Sequence, residues 1–80
     1  MNQEQIYAEL TKIFRDVFQD DNISVTAATT AEDVAGWDSS AHVNLILAIE
    51  MELSVVFNTS EIDEMRTVED LAEAIERKLN

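Results

Sequence analysis

The residues best suited to chemistry in this chain are Asp38, Ser39 and His42, which lie within one short stretch. A serine and a histidine three positions apart on a helix share a face, so His42 could activate Ser39 as a nucleophile. A hydrolase also needs an acid that orients the second imidazole nitrogen, and Asp38 adjoins Ser39 instead. No Gly-x-Ser-x-Gly nucleophile elbow surrounds the serine, and we predict His42 at the edge of the core. We therefore reject a self-contained hydrolase.

The element that must position Ser39 is a helix that we predict from Ser39 to about Leu53. Asp38 and Ser39 stand at its start, and both residue types are strong N-caps because their side-chain oxygens accept hydrogen bonds from first-turn N–H groups. Gly36, the only glycine in the chain, marks the backbone turn just before the helix.

This helix carries two apolar faces. At 100° per residue, one face is wide enough to be the core side. The opposite face is narrower and runs in line with Ser40, which suggests a docking surface for another protein. A central helix buried on both sides is an equally good interpretation of the periodicity alone. The predicted core face comprises His42, Leu45, Ile46, Ile49 and Leu53, and the outer face comprises Val43, Leu47 and Met51.

Length and composition predict one folded domain spanning residues 1–80, with 46% hydrophobic residues. The chain contains no cysteine, which excludes disulfides and a thiol nucleophile in the protein itself. No apolar run approaches the length of a membrane span, and the polar N-terminus lacks a signal-peptide pattern. We expect a cytoplasmic monomer with no membrane association and no bound metal.

The charge is strongly acidic, with 17 Asp and Glu against 5 Lys and Arg and a net charge of −12. No Lys or Arg occurs from Asp16 to Met65. Such a surface argues against nucleic acid as a partner, because phosphates would be repelled. It favours protein partners with basic docking patches, attracted by a long-range negative field. The alternative is that the acidity only keeps the protein soluble.

The first third of the chain is predicted as a helix followed by a long loop. A helix over residues 3 to about 19 has Asn2 as its cap and Gln5 in the capping-box position, and Lys12 can pair with Asp16. The periodicity then fades from Asp20 to Trp37. The acidic residues near position 20 lack the glycine and alternating oxygens of a calcium loop, so we interpret them as a solvated turn.

The last third is predicted as a short and a longer helix. Residues 55–57 either tuck under the bundle or form a short strand, and Thr59 or Ser60 caps a short helix over 61–65. Thr67 caps the last helix, whose core stripe ends at Leu79, and Glu73 can pair with Arg77. The predicted fold is all-α, a small four-helix bundle with three longer helices, one short helix and a long first loop.

The stretch around Ser39 resembles the acyl carrier protein family. That family's signature is Asp-Ser followed by a hydrophobic residue at the start of the second helix, and Asp38-Ser39 matches its first two positions. Ser40 departs from the usual Leu or Met. The long first loop and the order of long, long, short and long helices also resemble the family, as does the final-helix entry. The matching segments are Ala41-His42-Val43-Asn44-Leu45-Ile46-Leu47-Ala48-Ile49-Glu50 and Arg66-Thr67-Val68-Glu69-Asp70-Leu71.

The resemblance implies a carrier rather than an enzyme. In the family the serine carries 4′-phosphopantetheine, whose thiol holds acyl groups as thioesters, so the resemblance implies that Ser39 is the attachment residue. It implies that Asp38 assists recognition by the phosphopantetheinyl transferase. Further implied partners are acyl-transferring and condensing enzymes of fatty acid, polyketide or related biosynthesis. Combined with the outer face and the acidity, it predicts partner contacts at Ser40, Val43, Leu47, Glu50, Met51, Glu61 and Glu64.

Two alternatives remain open on the sequence. A peptidyl or aminoacyl carrier shares the fold and the modified serine, and the cargo cannot be identified from these residues. A plain helical adaptor would bind partners through Val43, Leu47 and Met51 without any modification.

Overall fold

A computed structural model describes residues 1–79 of the chain as four α-helices. Their bounds are Gln3–Phe18 (α1), Ser39–Leu53 (α2), Thr59–Glu64 (α3) and Val68–Leu79 (α4). The described residues contain no strand and only one isolated bridge, between Thr30 and Thr67. The predicted all-α bundle with one short helix and a long first loop is thus confirmed. No helix in the described part of the chain is long and apolar enough to span a membrane.

The first helix packs against both α2 and α4 and supplies much of the core. Its start is fixed by the predicted capping box, in which the Asn2 side chain accepts from the Gln5 N–H at 2.8 Å and the Gln5 side chain accepts from the Asn2 N–H at 2.9 Å. Because its apolar residues recur at helical spacing, they form one buried face. That face comprises Ile6, Leu10, Ile13 and Phe14.

The long loop between α1 and α2 is held in place by buried anchors and hydrogen bonds. The Arg15 Nε donates to the Ile23 carbonyl at 2.7 Å, and the Val68 N–H donates to the Thr29 carbonyl at 3.0 Å. These bonds tie the loop to α1 and to the start of α4, so the segment that leads into α2 enters from a defined direction. The buried anchors are Val25, Val34 and Trp37.

The connection after α2 differs in part from the prediction. Val55 and Phe57 are buried, but Val56 is 76% exposed, and the segment forms no strand. Alternate side chains of an extended segment point in opposite directions, which explains why the middle residue faces solvent.

The cap of α3 is Asn58 rather than Thr59 or Ser60. The Asn58 side chain accepts from the Glu61 N–H at 2.8 Å, and the Glu61 carboxylate accepts from the Asn58 N–H at 3.0 Å.

The last helix begins as predicted, because the Thr67 hydroxyl accepts from the Asp70 N–H at 3.2 Å and Asp70 accepts from the Thr67 N–H. Its core stripe is confirmed except at Leu79, which is 38% exposed in the final turn, where a helix loses neighbours. The buried residues of this helix are Val68, Leu71, Ala72, Ala74 and Ile75.

Both predicted helix-surface ion pairs are wrong. Lys12 pairs with Glu9 at 3.5 Å rather than with Asp16. A Glu that precedes a Lys complements the helix dipole better than an acid that follows it. Between Glu73 and Arg77 no ion pair forms, whereas the neighbouring Lys78 reaches across to Glu61 at 3.0 Å.

Candidate functional site

A tight turn places Ser39 at the start of α2. Gly36 has φ +89°, a left-handed conformation that glycine adopts without strain, and the Asp38 N–H donates to the Gly36 carbonyl at 3.0 Å. Asp38 is the N-cap, with its Oδ1 accepting from the Ala41 N–H at 2.9 Å. Ser39 is the first helical residue and its side chain is exposed. The serine hydroxyl is therefore accessible to an approaching protein.

His42 follows Ser39 by three residues on α2, and its side chain connects this helix to the long loop and to α3. Its Nδ1 accepts from the Trp37 Nε1–H at 3.1 Å, and its Nε2 lies 3.3 Å from the Ile62 carbonyl. Since Nδ1 accepts, Nε2 must carry the proton and donate to Ile62. The Trp37 ring in turn packs edge-on against Phe14 with ring centroids 5.2 Å apart. These contacts fix α3 against the start of α2.

This geometry leaves Ser39 without a catalytic base. Both imidazole nitrogens of His42 are used by Trp37 and Ile62, and the Asp38 carboxylate caps the helix. A Ser-His-Asp triad needs the imidazole bonded to both the hydroxyl and the acid. The rejection of a self-contained hydrolase therefore agrees with the arrangement of His42 and Asp38.

A groove of about 530 Å³ runs beside Ser39, between α2 and α3. We call it the Ser39 groove. Its apolar lining residues include Trp37, Ile62 and Met65, and its charged lining residues carry both signs. An extended, mostly polar chain with apolar methyl groups, attached at Ser39, could lie along such a surface, so these residues fit a phosphopantetheine arm. The lining residues are Ala31, Trp37, Asp38, Ser39, His42, Val43, Ile62, Asp63, Met65 and Arg66.

The two predicted faces of α2 are both present. Leu45, Ile46 and Ile49 are buried, and the remaining core-side residues, His42 and Leu53, are half-buried. On the opposite face Val43, Leu47 and Met51 are 54%, 52% and 82% exposed, and Ser40 is exposed beside them. The alternative of a helix buried on both sides is thus excluded. An exposed apolar stripe of this kind is typical of a protein-binding surface.

The predicted partner contacts include three acids, Glu50, Glu61 and Glu64, and these lie in different environments. The Glu50 carboxylate accepts from the Phe57 N–H at 2.9 Å, so it also supports the α2–α3 connection. Hydrogen bonding to the Asn58 backbone, then to Lys78, lowers the pKa of Glu61 below its ordinary value. Glu64 is exposed at the end of α3. Of these three acids, only Glu64 makes none of these structural contacts, so a change at Glu64 should affect partner binding through its charge alone.

Sequence reasoning gave no site role to six residues of the groove wall, and these are Ala31, Trp37, Ile62, Asp63, Met65 and Arg66. Their place on one wall depends on how the first loop and α3 pack against α2, which no local pattern encodes. One signal was available for Arg66, because it is the first basic residue after the long acidic stretch and falls within the segment that resembles the family.

Three comparisons with known proteins agree with this geometry. Residues 8–75 match the family model described as "Phosphopantetheine attachment site". Acyl carrier proteins from Petrotoga mobilis and Coprothermobacter proteolyticus are 28% and 27% identical to this chain, over 100% and 99% of it and 94% and 96% of their own lengths. The solution structure of a holo acyl carrier protein from Geobacter metallireducens superposes with a TM-score of 0.86 at 40% identity, covering 92% of this chain and 85% of that one.

The match extends across nearly the whole chain and includes the residues around Ser39, so the similarity is not confined to one motif. The chain belongs to the acyl carrier protein family, and its cofactor is covalently attached phosphopantetheine.

Proposed function

We propose that Ser39 carries the 4′-phosphopantetheine and that its thiol presents acyl intermediates to partner enzymes. The observation that supports this most is the position of Ser39, exposed as the first residue of α2, next to Asp38 and on the edge of the groove that fits the arm. A helix N-terminus suits the phosphodiester, since first-turn N–H groups and the macrodipole favour negative charge.

The attachment reaction needs a second protein. A serine hydroxyl is a weak nucleophile, and in this chain His42 is fully engaged elsewhere. A phosphopantetheinyl transferase must therefore supply the base that takes the hydroxyl proton. The Ser39 oxygen then bonds to the pantetheine-bearing phosphorus of coenzyme A, the pyrophosphate bond breaks, and adenosine 3′,5′-bisphosphate leaves. We assign Asp38 a supporting role in recognition by that transferase, because its carboxylate adjoins the serine that the transferase must reach.

The cofactor supplies a thiol, which this chain lacks. When bound, its terminal thiol holds an acyl group as a thioester. The chain contains no cysteine, so the acyl group cannot migrate to a thiol of the protein. The chain itself positions the arm and presents it, which is the role of a carrier and not of an enzyme.

Partner enzymes are proposed to bind the outer face of α2. Val43, Leu47 and Met51 offer apolar contact, and Ser40 lies at the serine end of the same stripe. The acids Glu50, Glu61 and Glu64 would meet basic patches on the transferase and on acyl-transferring and condensing enzymes. We place the protein in fatty acid, polyketide or related biosynthesis.

Enzymatic loading tests the attachment site. Incubation with coenzyme A and a broad-specificity transferase should add one phosphopantetheine mass to the intact protein, and fragmentation should place that mass on Ser39. Ser39→Ala should abolish the gain. Ser40→Ala is the matched control, because it removes the adjacent hydroxyl and should leave the gain unchanged. Labelling on Ser40 would contradict attachment at Ser39, and no labelling with several transferases would favour an unmodified adaptor.

A further inference from the structure

We propose that the Arg66 guanidinium binds the phosphodiester of the phosphopantetheine on Ser39 and turns the arm toward the α3 side of the groove. The inference rests on the proposed attachment at Ser39 and assigns to Arg66 a contact with the cofactor that neither the fold nor the acyl carrier resemblance supplies. Ser39 and Arg66 both line the Ser39 groove.

The backbone at Arg66 is fixed although its side chain is exposed. The preceding residue, Met65, is buried, and its N–H donates to the Ile62 carbonyl at 3.2 Å. The Arg66 N–H donates to the Asp70 carboxylate at 3.0 Å. Because Ile62 also accepts from His42 of α2, the segment that carries Arg66 is held against the helix that carries Ser39. The guanidinium therefore extends from a rigid anchor.

The Arg66 side chain also has no competing partner among the described residues 1–79. Among residues 1–79, Lys12 pairs with Glu9, Lys78 pairs with Glu61, and the Arg15 side chain donates to the Ile23 carbonyl. The side chain of Arg66 makes no ion pair or hydrogen bond in the same part of the chain. Among the described residues that line the groove, it is the only Lys or Arg. Because it has no partner there, it can bind an arriving anion.

The charge balance at Ser39 creates a need for this cation. Phosphopantetheinylation adds a negative phosphodiester beside Asp38, and Asp63 lies on the same groove wall. Repulsion among these groups would direct the arm away from the protein unless a cation offsets it. Arginine suits the task because its planar fork can donate two parallel hydrogen bonds to phosphate oxygens.

A four-state comparison isolates the contact from general charge effects. Melting temperatures are measured for the apo and holo forms of the wild type and of Arg66→Gln, with the holo form verified by intact mass and fragmentation. The 31P chemical shift of the phosphodiester is measured in each holo protein. Arg77→Gln is the matched control, because it makes the same change at an exposed arginine that lines a different pocket.

We expect Arg66→Gln to lower the melting temperature of the holo form by about 2–4 °C more than that of the apo form, the size expected for a surface ion pair. The difference between the lowering in the holo form and the lowering in the apo form should be smaller in 1 M salt, which screens exposed charges. The 31P resonance should shift in Arg66→Gln and remain in place in Arg77→Gln. In Arg66→Lys, both the 31P shift and the melting temperature of the holo form should lie between those of wild type and Arg66→Gln.

Equal effects of Arg66→Gln on both forms, with an unmoved 31P resonance, would overturn the inference while leaving attachment at Ser39 intact. Failure to obtain any holo protein modified on Ser39 would instead overturn the proposed function, and this inference with it. The two failures are distinguished by the mass measurement that precedes the comparison.

Discussion

At the scale of single residues, Ser40 stands where the resemblance to the family implies a Leu or Met. The structure places it exposed at the second position of α2, beside Ser39 and in line with the outer face. Helix capping at this end is performed by Asp38. Ser40 therefore has no capping role that a substitution would remove.

We predict that Ser40→Leu is modified faster than wild type by a broad-specificity transferase. Full burial of a Leu side chain contributes about 1.5–3 kcal/mol, so a half-buried contact contributes about 1 kcal/mol, or about fivefold in affinity. The gain should appear as a lower Michaelis constant in a steady-state loading assay. The melting temperature, measured on the same sample, should be unchanged. Unchanged or slower loading would show that the serine does not weaken transferase binding.

Single-residue environments were only partly predictable. The cap at Asn2 and the turn at Gly36 follow from local rules, and the structure confirms both. The contacts of His42 follow instead from packing, because its partners Trp37 and Ile62 belong to the long loop and to α3. Sequence reasoning placed His42 at the core edge but could not identify its hydrogen bonds.

At the scale of elements, the two faces of α2 should respond differently to truncation. Ile49 is fully buried and Leu47 is half exposed, although both lie on the same helix. Ile49→Ala should lower the free energy of unfolding by about 2–5 kcal/mol, because it removes core contacts and leaves a cavity. Leu47→Ala should change it by no more than about 0.5 kcal/mol. Chemical denaturation measures both, and equal losses would show that the outer face has a structural role.

Charge at the end of α3 should control the rate of partner binding. Glu64→Lys should slow association with the transferase, and added salt should reduce its difference from wild type, since rim charges act mainly on the association rate. Stopped-flow kinetics measures this. Reversing Glu50 as well would also break its bond to Phe57, so its effect on binding would be mixed with an effect on stability.

Glu4→Lys is the matched control for that prediction, because it makes the same charge change at an exposed position in the first turn of α1. It should affect the rate less than Glu64→Lys does. Equal slowing would mean that net charge alone steers association, and no slowing by either variant would mean that the acidity serves only solubility.

Element boundaries show where sequence reasoning succeeds and where it fails. The bounds of α1, α2 and α4 follow from capping residues and apolar periodicity, and they agree with the structure to within about one residue. The start of α3 was misplaced because Asn58, Thr59 and Ser60 are all good caps, and only the reciprocal bonds of Asn58 with Glu61 decide among them. The Ser39 groove could not be predicted, because it forms where α3 packs on α2 and the sequence pattern does not contain that packing.

At the scale of the whole molecule, the dominant feature is a net charge of −12 on a domain with a radius of gyration of 11.3 Å. Only two ion pairs form among residues 1–79, so most of the acids have no cationic side chain as a partner in that part of the chain. Like-charge repulsion should oppose the compact state. Salt or millimolar magnesium should therefore raise the melting temperature in a thermal scan. A flat response would show that the charges are already well dispersed.

The central claim is that this chain carries acyl groups on a phosphopantetheine at Ser39. The most direct test is the mass of the protein purified from its native cells, measured before and after hydroxylamine treatment, with fragmentation to locate the adduct. We predict phosphopantetheine on Ser39 together with an acyl mass that hydroxylamine releases, since hydroxylamine cleaves thioesters. An unmodified protein, or an adduct on another residue, would contradict the account.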